Sequence, residues 1–210
     1  MTTRPAGKEP AGTVDRPVMT HDEIVPMKRN RQQSNLSFRC MAAEFRIRDW
    51  LRPPINMLRD IGLLPGMTIL DFGCGPGGYS LAAAHLVGAK GQVYALDIHP
   101  LALCMVMKAA KRRGLQNIHP ILGSYPDDLP NESMDVVLLY DVLHDIPDTD
   151  SVLREIRRVL KPDGILSASD HHYGEAALLS KIAGSRLFRL AKCNRLTCQF
   201  MRVTGDEKLL

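Results

Sequence analysis

From residue 67 onward, short apolar runs alternate with stretches whose apolar residues recur at helical spacing. The runs "MTILDF" (67–72), "GQVYALD" (91–97), "NIHPIL" (117–122), "MDVVLLY" (134–140) and "GILSAS" (164–169) read as strands. "MDVVLLY" is apolar nearly throughout, as a central parallel strand is. Residues 78–87, 101–114, 150–160 and 175–184 read as the helices between and after them. In 150–160, Val152, Leu153, Ile156, Val159 and Leu160 share one face, and Asp150 suits the N-cap. The helix at 101–114 ends in basic residues and Gly114, as the helix dipole and C-cap favour. "LFRLAKCNRLTCQFMRV" (187–203) reads as a hairpin turning near Asn194-Arg195. Alternating strands and helices imply an α/β fold with a parallel sheet covered on both faces, and the hairpin adds antiparallel strands at one edge.

The first third of the chain follows another pattern. Residues 1–36 are rich in Pro, Thr, Gly, Arg, Asn and Gln and are expected to be a disordered leader. In "SFRCMAAEFRIRDWL" (37–51), Phe38, Met41, Ala42, Phe45 and, less regularly, Trp50 lie near helical spacing. Pro53 and Pro54 end that helix, and "INMLRDIG" (55–62) makes a second one with Gly62 at C′. Residues 37–62 are expected to form a lid, with Phe45 and Trp50 as candidates to line a site beneath it, and 63–210 to form the main domain.

Charge adds an asymmetry. Residues 1–60 hold 11 Lys+Arg against 7 Asp+Glu, while residues 61–210 balance at 16 against 16. A neutral body makes no strong electrostatic case for nucleic acid, and the basic N-terminal segment keeps RNA as the alternative partner. No apolar run approaches membrane-spanning length. The N-terminus has no apolar leader and the five cysteines form no framework, which points to a cytoplasmic protein with reduced thiols. Cys193 and Cys198 flank the hairpin turn and are expected out of register.

The chemistry concentrates in "DFGCGPGGYSLAAAHL" (71–86). Four glycines within six positions sit between a strand and a helix, and Asp97 ends the second strand. Such a loop lets backbone approach a ligand, and the acid can accept hydrogen bonds from both hydroxyls of an adenosine ribose. Dinucleotides and S-adenosyl-L-methionine (SAM) both need this. Asp71 separates them. A pyrophosphate beside this carboxylate would be repelled, whereas the sulfonium and ammonium groups of SAM would be attracted.

Residues 67–170 resemble the class I SAM-dependent methyltransferases, in particular the small-molecule, methyltransferase-11-like group. The resemblance rests on "LDFGCGPGG" (70–78), "YALDIHP" (94–100), "LPNESMDVVLLYDVLHDIPD" (129–148) and "LREIRRVLKPDGIL" (153–166). It implies a Rossmann-like, doubly wound sheet of seven strands in order 3-2-1-4-5-7-6, with strand 7 antiparallel. It also implies that Asp71, Gly73 and Gly75, with Cys74 in the same loop, line the methionine half of SAM. Asp97 would hold the ribose and Ile98 would pack on the adenine. Ser124 stands where an acid is common, which weakens the adenine contact or hands it to backbone and Tyr125. Tyr140 and Asp141 would border the transferred methyl.

Open α/β sheets place their sites at the C-terminal ends of the strands. Candidate bases there are Asp141, His144 and His171, with Asp145, Asp170 and His172 beside them; the alternative for His144 is a structural role in the following turn. Asp141 and Asp170 follow consecutive strands, a placement similar to metal-dependent O-methyltransferases. The rest of that pattern is unmatched, so no metal is expected. The expected acceptor is a small molecule or a lipid-like quinone precursor. An RNA or protein methyltransferase, or a non-catalytic SAM-binding scaffold, are the alternatives. The sequence carries no sign of oligomeric state.

Overall fold

The computed structural model describes residues 35–203, so most of the expected leader lies outside the described residues. Helix α1 (Asn35–Leu51) is followed by α2 (Pro54–Asp60), with Pro54 in the first helical turn and Gly62 in a left-handed conformation just beyond its end. Then come β1 (Thr68–Phe72), α3 (Gly78–Val87), β2 (Gln92–Asp97), α4 (Pro100–Arg112), β3 (Ile118–Leu122) and β4 (Met134–Tyr140). The chain continues through α5 (Thr149–Val159), β5 (Leu160–Ser169), α6 (Glu175–Gly184), β6 (Phe188–Cys193) and β7 (Cys198–Arg202).

The strands form one seven-stranded sheet in the order β3-β2-β1-β4-β5-β7-β6. β1 to β5 pair in parallel, and β7 runs antiparallel to both β5 and β6. This is the expected α/β topology. Period-two alternation splits β4 between two cores. Val136, Leu138 and Tyr140 pack with α3 and α4, while Val137 and Leu139 pack with α5 and α6. The same alternation places Asp71 on the α3 side, opposite Leu70 and Phe72.

Two local expectations are corrected. The N-cap of α5 is Asp148, whose carboxylate accepts the Ser151 N–H at 3.0 Å; Asp150 lies inside the first turn. Cys193 and Cys198 are directly opposite each other and joined as a disulfide. A register shift between Leu190 and Lys192 moves the last residues of β6 by one place. The Asn194 side chain then closes the turn by accepting the Leu196 and Thr197 amides, each at 2.8 Å. Neither the shift nor its effect on pairing is visible in strand periodicity.

At the mouth of β1 the chain must turn sharply. Gly73 has φ +75, and a Cβ there would lie 2.6 Å from Val142 Cγ2. Gly73→Ala should therefore cost about 2–4 kcal/mol from backbone strain and overpacking. The measurement is thermal unfolding, where a melting temperature lowered by roughly 5–10 °C is expected. Partial recovery in Gly73→Ala/Val142→Ala would identify the steric share.

Candidate active site

The C-terminal ends of β1, β2, β3 and β4 open into a cavity of about 540 Å³, roofed by α1. Gly73 and Gly75 form its floor, Asp97, Ile98 and His99 one wall, and Ser124 and Tyr125 the end beyond β3. Asp141, Val142 and Asp145 line the opposite wall, and Phe38, Met41 and Phe45 reach in from α1. The volume is in the range of small-molecule sites, about 300–1,000 Å³.

Asp97 organises the floor. Its carboxylate accepts the Gly75 N–H at 2.9 Å and the His99 N–H at 2.8 Å. Burial pushes its carboxyl up, and the amides of His99 and Gly75 pull it back only in part. His99 caps α4 by accepting the Leu101 amide at 3.2 Å, and its ring stacks on Phe38 with centroids 4.4 Å apart. That stack, with Ala42 against Ala102, seats α1 over the site. Ile98 is 55% exposed, an apolar side chain held at the cavity wall.

Asp71 stands beneath the loop, off the cavity wall. It is buried and accepts a hydrogen bond from Ser80 Oγ of α3. Burial pushes its carboxyl up to about 7 despite that bond, and the Asp97 charge adds to the rise. Cys74 is also buried, with its thiol turned to the Gly75 carbonyl; burial pushes the thiol up, so it packs rather than reacts. The Tyr140 side chain points into the α3 core, its hydroxyl 2.7 Å from Ser167 Oγ and its ring against Tyr79. The expectation that Tyr140 borders the cavity is corrected by strand parity, since Tyr140 follows Val136 and Leu138 onto the α3 face.

Beyond β4 and β5 lies a second polar cluster. Asp141 has φ +52, a strained value for a non-glycine residue, of the kind concentrated at functional sites. It accepts Arg48 Nη1 at 2.5 Å and His171 Nδ1 at 2.9 Å. Asp170 has a fully buried carboxylate that accepts His144 Nδ1 at 2.9 Å and the His144 and His172 amides at 3.1 and 2.9 Å. Burial works to raise the Asp170 carboxyl, but those hydrogen bonds outweigh it and hold it below the usual carboxylate range. With Nδ1–H given to Asp170, His144 Nε2 is the basic nitrogen; it lies 3.6 Å from Asp145, on the cavity wall. His171 and His172 pack nearby with their rings tilted by 44° and centroids 4.0 Å apart.

Of the expected base candidates, Asp141 lines the cavity, His144 stands behind Asp145 at its rim, and His171 is half exposed outside it. Asp141, Asp170 and His171 offer ligand atoms within 4.8 Å of one another, so these are the residues that could hold a cation near the cavity. Arg48 occupies the Asp141 side of that group.

Arg48 and Asp49 were not legible as site residues. The Arg48 guanidinium also bonds Asp49 at 3.0 Å and lies 4.4 Å from the Phe45 ring centre. Asp49 in turn packs over Gly78 at the start of α3, where a Cβ would collide with its carboxylate at 2.1 Å. The available signal was spacing, since Arg48 follows Phe45 by three positions on one helical face. Trp50, a lining candidate, is instead 80% exposed on the far side of α1.

A glycine-floored cavity at the strand ends, with a buried acid closing β2 and an acid-histidine cluster after β4 and β5, defines a nucleotide-type cofactor site of the Rossmann-like class. Residues 63–201 match a family described as methyltransferase domain, and the chain belongs to that family, whose methyl donor is SAM. Among curated relatives, a demethylmenaquinone methyltransferase of Geobacillus stearothermophilus is 35% identical over 111 residues, 52% of this chain and 47% of the relative. One of the same name from Lactobacillus johnsonii is 38% identical over 101 residues, 47% of this chain and 41% of the relative. The chain thus spans about half the length of the curated relatives it matches. A solved SAM-dependent methyltransferase from Aquifex aeolicus shares the fold, with a TM-score of 0.65, 24% identity, and coverage of 72% of this chain and 90% of that one.

Proposed function

We propose that this protein methylates a small, largely apolar acceptor of the quinone-precursor type, with SAM as donor and His144 as the base. Bound SAM would supply an already activated methyl group, so the chain's own task is alignment and proton removal. Asp97 would accept the ribose hydroxyls, Ile98 and Tyr125 would flank the adenine, and Gly73 and Gly75 would leave room for the methionine half. The apolar roof of Phe38, Met41 and Phe45 suits a ring-shaped acceptor and would exclude water from it. The names of the curated relatives support the quinone class of acceptor.

The carrying observation is the His144–Asp170 pair. A buried carboxylate holds His144 through Nδ1 and leaves Nε2 on the side of Asp145, which lines the cavity, so an acceptor reaching past Asp145 would meet that nitrogen. The test is production of S-adenosylhomocysteine from SAM with a panel of hydroquinones and phenols. His144→Gln should lower kcat by about 10²–10³-fold with cofactor affinity unchanged. Asp170→Asn should lower kcat less and move the pH profile. Full activity in His144→Gln would remove it as the base. Cofactor binding without turnover on any acceptor would favour the scaffold reading.

A further inference from the structure

Helix α1 is apolar on two opposite faces. Its inner face carries Phe38, Met41, Ala42 and Phe45, packed on the cavity and α4. Its outer face carries Leu36, Cys40, Ala43, Ile47, Trp50 and Leu51, all exposed. Their spacing of 4, 3, 4, 3 and 1 residues keeps all six within one stripe of a helix with 3.6 residues per turn. Leu36, Ile47, Trp50 and Leu51 are 73%, 63%, 80% and 66% exposed, the four largest values among exposed large hydrophobics of the described residues. Singly exposed apolar side chains need no explanation, but a continuous stripe does.

We infer that this outer stripe is a docking surface for an anionic lipid bilayer. The inference goes beyond methyl transfer and does not rest on the proposed acceptor. Residues 28–52, which are α1 with the segment directly before it and Arg52 after it, carry seven Lys+Arg against two Asp+Glu. Arg39 and Glu44 are exposed at the two edges of the stripe, and Arg52 is exposed just past the end of the helix. Positive charge around an apolar helical face is the pattern of a helix lying in a membrane interface, where basic residues meet anionic headgroups. A second copy of the chain on the same stripe would instead bring two basic segments together. Trp50 at the helix end fits the interface as well, since indole favours the headgroup boundary. No helix of the described residues is long and apolar enough to cross a membrane, so the contact is with the surface. Docking through the outer face would set the cavity, on the inner face of the same helix, directly above the lipid.

Trp50 is the chain's only tryptophan, so its fluorescence reports this stripe alone. The full chain is titrated with vesicles of phosphatidylglycerol and phosphatidylcholine, and separately with phosphatidylcholine alone. The expected result is a blue shift of Trp50 emission with the mixed vesicles, weakened by added salt and much smaller without the anionic lipid. Ile47→Ser/Leu51→Ser, which keeps the probe, should weaken the vesicle partition by about tenfold or more while leaving the melting temperature unchanged. Unshifted emission would overturn the inference, as would equal partition of the double variant. So would light scattering that shows a stable dimer dissociated by the double variant, because a second copy would then cover the stripe.

Discussion

Asp97→Ala should abolish measurable cofactor binding at concentrations that saturate the unaltered protein. The substitution removes two things at once. It deletes the acceptor that the proposed ribose contact uses, and it frees the Gly75 and His99 amides that now hold the loop and the start of α4. Hydrogen bonds to a charged group are worth about 1.5–3 kcal/mol each, so losing two amounts to about 10²–10⁴-fold in affinity. Calorimetric titration with S-adenosylhomocysteine is the direct measurement, and Asp97→Asn is its control. An amide retains one acceptor oxygen for the loop and loses the charge, so its affinity should fall between the two. Unchanged affinity in Asp97→Ala would move the adenosine seat elsewhere along the strand ends.

The second large effect concerns Asp71 and is read through pH. Its folded-state carboxyl sits at about 7, against 3.8 for the ordinary group, because burial outweighs the Ser80 hydrogen bond. A pKa raised on folding means that the native state holds a proton that the unfolded chain has already released. Stability from this group is therefore fully present below pH about 4 and lost as pH rises towards 7. A difference of about three units corresponds to a few kcal/mol, about 1.4 kcal/mol per unit. Asp71→Asn keeps the acceptor for Ser80 and removes the buried charge. It should therefore melt roughly 5–10 °C above the unaltered protein at pH 8 and lose that advantage by pH 4. The functional counterpart runs the other way. A cationic ligand above Asp71 favours the carboxylate, so SAM binding near pH 6.5 should release a proton from the unaltered protein. Calorimetry in buffers of different ionisation enthalpy would detect this, and Asp71→Asn should abolish the release while weakening affinity. Equal melting of the two proteins at pH 8, with no proton released on binding, would make Asp71 only a packing group.

The reasons for burying Asp71 and for exposing Trp50 belong to different levels of description. Periodicity alone located nearly every element, because a parallel strand buried on both faces and a helix with one apolar stripe each leave an unmistakable local pattern. The glycine loop, the acid ending β2 and the acids after β4 and β5 were also legible, since each is tied to a strand end that the pattern already located. What the sequence by itself determined, then, was the alternation of elements, the sheet class, the cofactor loop and the family resemblance.

Tertiary structure decided what lies opposite what. Strand parity turned Tyr140 into the α3 core, and a one-residue register shift brought Cys193 to face Cys198. The roof over the cavity was set by Phe38 stacking on His99, a contact across 61 positions of sequence that no local pattern encodes. That seating chose the inner face of α1, and so made Arg48 a partner of Asp141 and left Trp50 outside. The physical reason is the same in each case. Local periodicity reports which residues share a face of their own element, while the identity of the facing surface depends on packing between elements far apart in the chain.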